Sequence, residues 1–413
     1  MNKTAWKKIS TVIIGAIVIA LVLFFGWSSF KNPSTNQSPA QIPTSSTIGA
    51  APSSSAPTAP STSTASTMST SSTPSGTLSL APTPVGHVIG IAAGGTLSKL
   101  SSSTLNAELD QIVALGATWV RFDIEWGDVQ YGSSSTAKST WGSYDMLVNA
   151  LVAHHLHGLG VISYTPQWAR TPSCSNGIEC PPADPSTFAT FAAEVAARYK
   201  GDGMHAWEIW NEPNNFNFWA PKSNCAAYTA LLKVTYPAIK NADPQALVIT
   251  GGLAPESTND VSISPTDFLS CVYASGGKGY FDAVGDHPYT FPASPSNDNG
   301  GAWDQLSATT PSLRSIMVAN GDANKKIWLT EFGTPTNGPD PQWYINEASE
   351  TQMVADTIQA YKTYSWAGPL FWYTLRDGGN TTDTNENFFG LTRSDGSVKP
   401  AYTTLQRLIS AGL

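Results

Sequence analysis

From residue 85 to the C-terminus, short β-branched or aromatic runs alternate with helical patterns of ten or more residues, and that alternation leaves few ways to fold. Period-two runs read as strands and period-3.6 runs as helices, so their regular succession is the pattern of parallel β/α units. Strands are predicted near residues 88–92, 119–123, 160–163, 206–210, 247–250, 283–287, 327–330 and 370–373. The intervening helices are predicted near 102–115, 143–155, 185–199, 225–241, 265–274, 311–320 and 345–364, with a last one near 401–411. Eight units closing on themselves leave no sheet edge and place function on the loops after the strand C-termini. The expected fold class is therefore α/β, a (β/α)8 TIM barrel. A doubly wound open sheet competes with it, but such a sheet carries a Gly-rich phosphate turn after its first strand, and Gly94-Gly95 lacks the G-x-G-x-x-G spacing.

Nothing before residue 85 fits this pattern. Lys3, Lys7 and Lys8 precede an uncharged apolar run from Thr11 to Phe30, which at about 1.5 Å per residue spans a hydrocarbon core of about 30 Å. Basic residues ahead of the run place the N-terminus inside and the rest outside. A cleaved signal peptide is the alternative, although no A-x-A-like site follows Trp27. Between Lys31 and Lys99 there is no charged residue, and Ser, Thr, Pro and Ala dominate. Such a stretch cannot repay its ordering entropy by burial. Three regions are thus expected: a signal-anchor at 1–31, a disordered linker at 32–84 and one folded barrel domain at 85–413, exposed on the outer face of the membrane or secreted.

The net charge is -8, and the four N-terminal lysines Lys3, Lys7, Lys8 and Lys31 leave -12 for the remainder. An acidic surface repels phosphate backbones, so no nucleic-acid partner is expected. Fourteen Trp and 14 Tyr alongside only 13% charged residues suit neutral polyhydroxylated ligands. Four cysteines fall in the exported part, Cys174, Cys180, Cys225 and Cys271, none in a C-x-x-C pair. An oxidising compartment permits disulfides. Of three connectivities, Cys174 to Cys180 with Cys225 to Cys271 is favoured, because the first two share one short Pro-rich loop; a zinc site is the alternative.

Polar residues at strand ends carry the chemistry. The fourth strand ends in Trp207-Glu208-Ile209-Trp210-Asn211-Glu212-Pro213-Asn214 and the seventh in Trp328-Leu329-Thr330-Glu331-Phe332-Gly333. Two carboxylates facing one pocket are what glycoside hydrolysis needs, one to protonate the leaving oxygen and one to attack or to activate water. On the second strand Arg121, Asp123 and Glu125 share one face and Val120, Phe122 and Ile124 the other. Alternation sends the charged set into the barrel mouth. There Arg121 is the candidate cation for Glu331, with a structural pairing to Asp123 or Glu208 as the alternative; both can hold. The sixth strand ends in Asp286-His287-Pro288-Tyr289, with His287 and Tyr289 on one face. His154, His155 and His157 precede the third strand at the opposite end of the barrel, and no metal is expected there.

The segments Trp-Asn-Glu-Pro-Asn and Thr-Glu-Phe-Gly resemble the signatures of clan A retaining glycoside hydrolases, over essentially residues 85–413. Within the clan the chain is most similar to glycoside hydrolase family 39 and related exopolysaccharide endoglycosidases, with family 5 next. The resemblance implies Glu212 as general acid/base and Glu331 as nucleophile. It further implies that Asn211 binds the sugar 2-hydroxyl, that Arg121 bonds the nucleophile, and that His287 and Tyr289 orient it and line the glycone pocket.

Aromatic faces pack against the C–H faces of pyranose rings. Trp126, Tyr164, Trp168 and Trp372 follow or end strands and are expected sugar platforms, with Asn214 as a further substrate-binding residue; packing of the loop core is the alternative for the aromatics. Trp372 resembles the clan's eighth-strand Trp, and Tyr164 to Ala169 is similar to a third-strand segment of the family 39 relatives. The expected activity is hydrolysis of β-glycosidic bonds in a polysaccharide or oligosaccharide, in endo mode, without a cofactor and with a monomer assumed. Transglycosylation in wall or exopolysaccharide remodelling and catalytically inactive carbohydrate binding are the alternatives; loops 295–303 and 335–343 would set sugar identity.

Overall fold

The computed structural model describes residues 86–413 except 133–138, 173, 175 and 176. The expected anchor (1–31) and linker (32–84) lie outside the described residues. Among the described residues no helix is long and apolar enough to cross a membrane.

The chain alternates β1 (Ile89–Ala92), α1 (Ser102–Leu115), β2 (Trp119–Glu125), α2 (Gly142–Ala153), β3 (His157–Ser163), α3 (Pro185–Tyr199), β4 (Ala206–Ile209) and α4 (Cys225–Ala242). The second half repeats the pattern with β5 (Leu247–Thr250), α5 (Pro265–Ala274), β6 (Val284–Asp286), α6 (Leu313–Ala319), β7 (Ile327–Phe332), α7 (Glu347–Tyr361), β8 (Ala367–Tyr373) and α8 (Pro400–Ser410). The strands pair in parallel in the order β5-β4-β3-β2-β1-β8-β7-β6. The ends of that order meet through the parallel bridges Ile249 to Ala283 and Leu253 to Asp286, which close the ring in the manner of a (β/α)8 barrel.

Local chemistry sets where the helices start. Side chains of Ser101, Asp184, Asn224, Ser264 and Asn346 each accept a backbone N–H in the first turn of the following helix, a cap worth about 1 kcal/mol apiece. Pro185 and Pro265 occupy first-turn positions, where a missing N–H costs nothing. α6 begins at Leu313, later than the expected 311, because Ser312 and Ser315 form a reciprocal capping box after Pro311. β2 runs two residues past expectation, since its register with β3 continues to the Glu125–Ser163 pair. β6 stops at Asp286, and His287 N–H turns instead to the carbonyl of Leu253 beyond β5.

Two apolar layers result. One fills the space between strands and helices. The other plugs the barrel with Trp119, Leu159, Trp328 and Phe371 set against Ala92, Ala206 and Ala283, and the Trp119 and Trp328 rings meet edge to face at 5.5 Å. Large rings fit there because neighbours are small: a Cβ on Gly368 would lie 2.3 Å from the Trp328 ring. Cys174–Cys180 and Cys225–Cys271 are both bonded, the pairing favoured from sequence, and the second ties α4 to α5.

Candidate active site

The polar residues above the Trp119–Trp328 plug belong to the C-terminal ends of the strands. Inward positions on β2 are Trp119, Arg121, Asp123 and Glu125, as alternation requires. Arg121 has no exposed surface. Its Nε donates to Oε2 of Glu208 at 2.7 Å and its Nη2 to Oε1 of the same carboxylate at 3.3 Å. The remaining edge serves the site: Nη1 donates to Oε1 of Glu331 at 2.5 Å, and Nη2 to Oδ1 of Asn211 at 2.7 Å. Both sequence readings of Arg121 therefore hold, with Glu208 rather than Asp123 as its structural partner. Burial alone would lower the guanidinium, but Glu208 and Glu331 outweigh it and hold the proton firmly.

Just beyond β4 the backbone takes an unusual path. Trp210 (φ 72°) and Glu212 (φ 45°) are left-handed non-glycine residues, the kind of local strain that persists where surrounding bonds over-determine it. Here Trp210 N–H donates to Ile162 O, its indole N–H to Phe218 O, and Glu212 N–H to Gly252 O. The kink turns the Glu212 side chain into the mouth. Its Oε1 lies 3.0 Å from Nδ1 of His287, and its Oε2 accepts from Asn215 Nδ2 at 3.3 Å.

Glu331 on β7 accepts from Tyr289 Oη through Oε2 at 2.7 Å, and that oxygen lies 3.7 Å from Nδ1 of His287. Burial pushes the Glu331 carboxyl up, but His287, Arg121 and the Tyr289 hydroxyl together hold it below the usual carboxylate range. Burial pushes His287 down, yet Glu331 and Glu212 outweigh it and the imidazole is raised. Glu212, His287 and Glu331 each present a ligand atom, all within 4.8 Å of one another. Those dimensions would admit a small cation, but Arg121, Tyr289 and the imidazole already serve the inner oxygens.

Other expected site residues are placed differently. Trp126 and Trp372 are 0% exposed, which corrects their assignment as sugar platforms. Trp126 stacks on Phe191 and meets Trp168 edge-on, and Trp372 packs edge-on against Phe332. On β8 alternation explains Trp372, which stands between the inward Phe371 and Tyr373, while Trp126 has left the strand and opens a short helix, Trp126–Val129. Asn214 is a second correction, because its amide is consumed by Ala254 N–H, Ala254 O and Ile263 O and braces the loop after β5. Tyr164 sits close enough to Asp123 and Glu212 to feel their charge. Trp168 is half-buried, with its N–H on Gln130 O.

Sequence reasoning passed over three groups at the mouth. Tyr373 donates to Oε2 of Glu386 at 3.1 Å; period-two reading of β8 would have found the tyrosine, but the loop carrying Glu386 has no pattern that places it. Desolvation by the cleft walls raises Glu386 to about 7, and burial does the same for Asp123. Gly252 follows β5, and a Cβ there would lie 2.1 Å from His287 Nε2 and 2.5 Å from Thr330 Oγ1. Only glycine lets the imidazole reach Glu212.

Comparison with known proteins agrees with this architecture. A β-xylosidase of Geobacillus stearothermophilus is 34% identical over 179 residues, 40% of this chain but only 34% of that relative, so the chain spans about a third of it. Among solved structures, a family 39 glycoside hydrolase from Bacteroides cellulosilyticus WH2 superposes with a TM-score of 0.61 at 22% identity, covering 78% of this chain and 63% of that one. A GH5_18 protein from Streptomyces cattleya gives 0.57 at 16% identity, covering 79% and 80%. Both families named from the sequence motifs thus recur. Residues 87–374 match the family described as Cellulase (glycosyl hydrolase family 5), and the chain belongs to that family.

Proposed function

We propose that this protein is an exported retaining glycosidase that cleaves β-glycosidic bonds of a polysaccharide or oligosaccharide by double displacement. The observation that carries the reading is that Glu212, just after β4, and Glu331, near the end of β7, each bring one carboxylate oxygen within 4.8 Å of the other's. Retaining pairs stand about 5 to 5.5 Å apart, whereas inverting pairs leave about 6.5 to 9.5 Å for a water.

In the first step a Glu331 oxygen attacks the anomeric carbon, the glycosidic C–O bond breaks, and Glu212 gives its proton to the departing oxygen. In the second, the Glu212 carboxylate takes a proton from water, the resulting hydroxyl bonds the anomeric carbon from the vacated side, and the ester to Glu331 breaks. Arg121 and Tyr289 keep Glu331 ionised and aimed. His287 Nδ1 faces Glu212, and its Nε2 has no hydrogen-bond partner, so a single ring proton belongs on Nδ1, where it orients the acid. Asn211, fixed by Arg121, is left to bind the sugar 2-hydroxyl.

Of the expected aromatic platforms only half-buried Trp168 keeps surface on which a sugar ring beyond the cleavage point could pack, in support of endo action, whereas Tyr164 is buried against Trp210. Export is inferred from the apolar N-terminal run and is consistent with two disulfides. The test is incubation with β-linked polysaccharides, with proton NMR of the first product. A new reducing end of retained β configuration supports the reading. An α anomer would overturn the retaining mechanism, and transfer to added sugar acceptors without net hydrolysis would make the protein a transglycosylase.

A further inference from the structure

Glu208 has no part in these steps, yet it is a carboxylate with 0% exposure inside the barrel. Burying such a charge is costly unless its partners are complete. Here they are: Arg121 supplies two N–H groups, Gly252 N–H donates to Oε1 at 2.6 Å, and Thr330 Oγ1 donates to the same oxygen at 3.1 Å. Both routes lead on to the catalytic pair. Arg121 continues to Glu331 and Asn211, while the carbonyl of Gly252 accepts from the backbone N–H of Glu212 at 3.1 Å.

We propose that Glu208 is a positioning residue for both catalytic carboxylates: it shares the Arg121 guanidinium with Glu331, and through Gly252 it anchors the backbone that carries Glu212. The inference rests on the roles given to those two residues above. Sharing matters because a nucleophile must be ionised without being over-stabilised. The groups facing Glu331 are Arg121 and Asp123 from β2, Glu212 after β4, and His287 and Tyr289 after β6. Tyr373 and Glu386 face it from the β8 side. Arg121 is the permanent cation among these, so its division between two carboxylates sets how tightly Glu331 holds its charge.

The test is Glu208→Gln, read by carboxyl NMR of protein labelled with [δ-13C]glutamate, the Glu331 resonance being assigned by its loss in Glu331→Gln. Arg121 is buried, keeps its charge and retains Glu331 as its bonded carboxylate, so Glu331 should titrate about one pH unit lower than in the parent protein. With a cleavable substrate, kcat should fall about tenfold while KM stays within about twofold. Glu208→Asp withdraws the carboxylate by one methylene and should move Glu331 in the same direction by less, which covers the case in which the glutamine variant does not fold. An unmoved or raised Glu331 would overturn the proposal, because Glu208 would then only brace the barrel. The titration needs no turnover, so an inert parent protein would count against the proposed activity and leave this inference to be decided by the NMR.

Discussion

Nδ1 of His287 lies 3.0 Å from Oε1 of Glu212 and 3.7 Å from Oε2 of Glu331, so one buried imidazole stands between two carboxylates from opposite sides of the barrel. This arrangement gives the two carboxylates proposed as acid and nucleophile different surroundings. Glu331 has two strong donors of its own in Arg121 and Tyr289, whereas the inner oxygen of Glu212 has the imidazole alone.

Replacement of the acid and of the nucleophile should therefore differ. Glu212→Ala should lose turnover of natural substrates but still cleave aryl glycosides with good leaving groups, which need no proton, and azide should restore rate with a β-glycosyl azide product. Glu331→Ala should lose both activities. Equal and complete loss in the two variants, with no azide response, would remove the assignment.

Tyr289→Phe deletes a donor to ionised Glu331. A hydrogen bond to the charged form lowers a carboxyl pKa, so its removal raises Glu331, and the acid limb of kcat/KM should move to higher pH by about one unit. Stability has the same sign: Glu331 is held below its usual range, so its contribution is present above the ordinary carboxylate pKa and lost as pH falls through the folded value. The variant should lose less stability than its parent on acidification. A pH–rate profile and melting curves across the acid range check both.

Arg121→Lys keeps the charge but not the fork that serves Glu208, Glu331 and Asn211 together. Turnover should fall about a hundredfold with a small change in melting temperature. A fall of many degrees with unchanged turnover in the folded fraction would make Arg121 structural alone.

Gly252→Ala introduces a methyl against His287 Nε2 and Thr330 Oγ1. His287 is fully buried and has no room to retreat, so the variant should lose about 3 kcal/mol of stability or displace the imidazole from Glu212. Denaturant unfolding and kcat on an unactivated substrate distinguish the two costs. Wild-type values in both would show that the imidazole contact is dispensable.

A chain beginning at Pro82 should be soluble, folded and as active as the full chain, because every strand among the described residues, both disulfides and all the site residues lie after it. The full chain should partition with membranes. Mass spectrometry of the mature protein from its host reads the first residue, and an N-terminus at or beyond residue 30 would replace anchoring with secretion.

Sequence by itself determined what depends on local order. Alternating periods of two and 3.6 are written residue by residue, so the eight strands and their helices were legible, and capping residues fixed several helix starts to the residue. The inward face of β2 was legible for the same reason, and Glu212 and Glu331 were legible as carboxylates at strand ends, but what turns them inward was not: Glu212 depends on the left-handed kink after β4 and Glu331 on the register irregularity of β7 between Leu329 and Phe332. The same alternation, applied strictly, would have placed Trp372 outward and Tyr373 inward. Tertiary structure alone decided what lies between strands distant in sequence. That Arg121 is shared by Glu208 and Glu331, 87 and 210 residues away, depends on ring closure, which brings strand ends together at distances no period encodes. The approach of His287 to Glu212 depends in turn on the absence of one methyl at Gly252. Glu386 entered the cleft on a loop without pattern, held by Tyr373, and such placements are set by packing around the barrel mouth rather than by any neighbour in the chain.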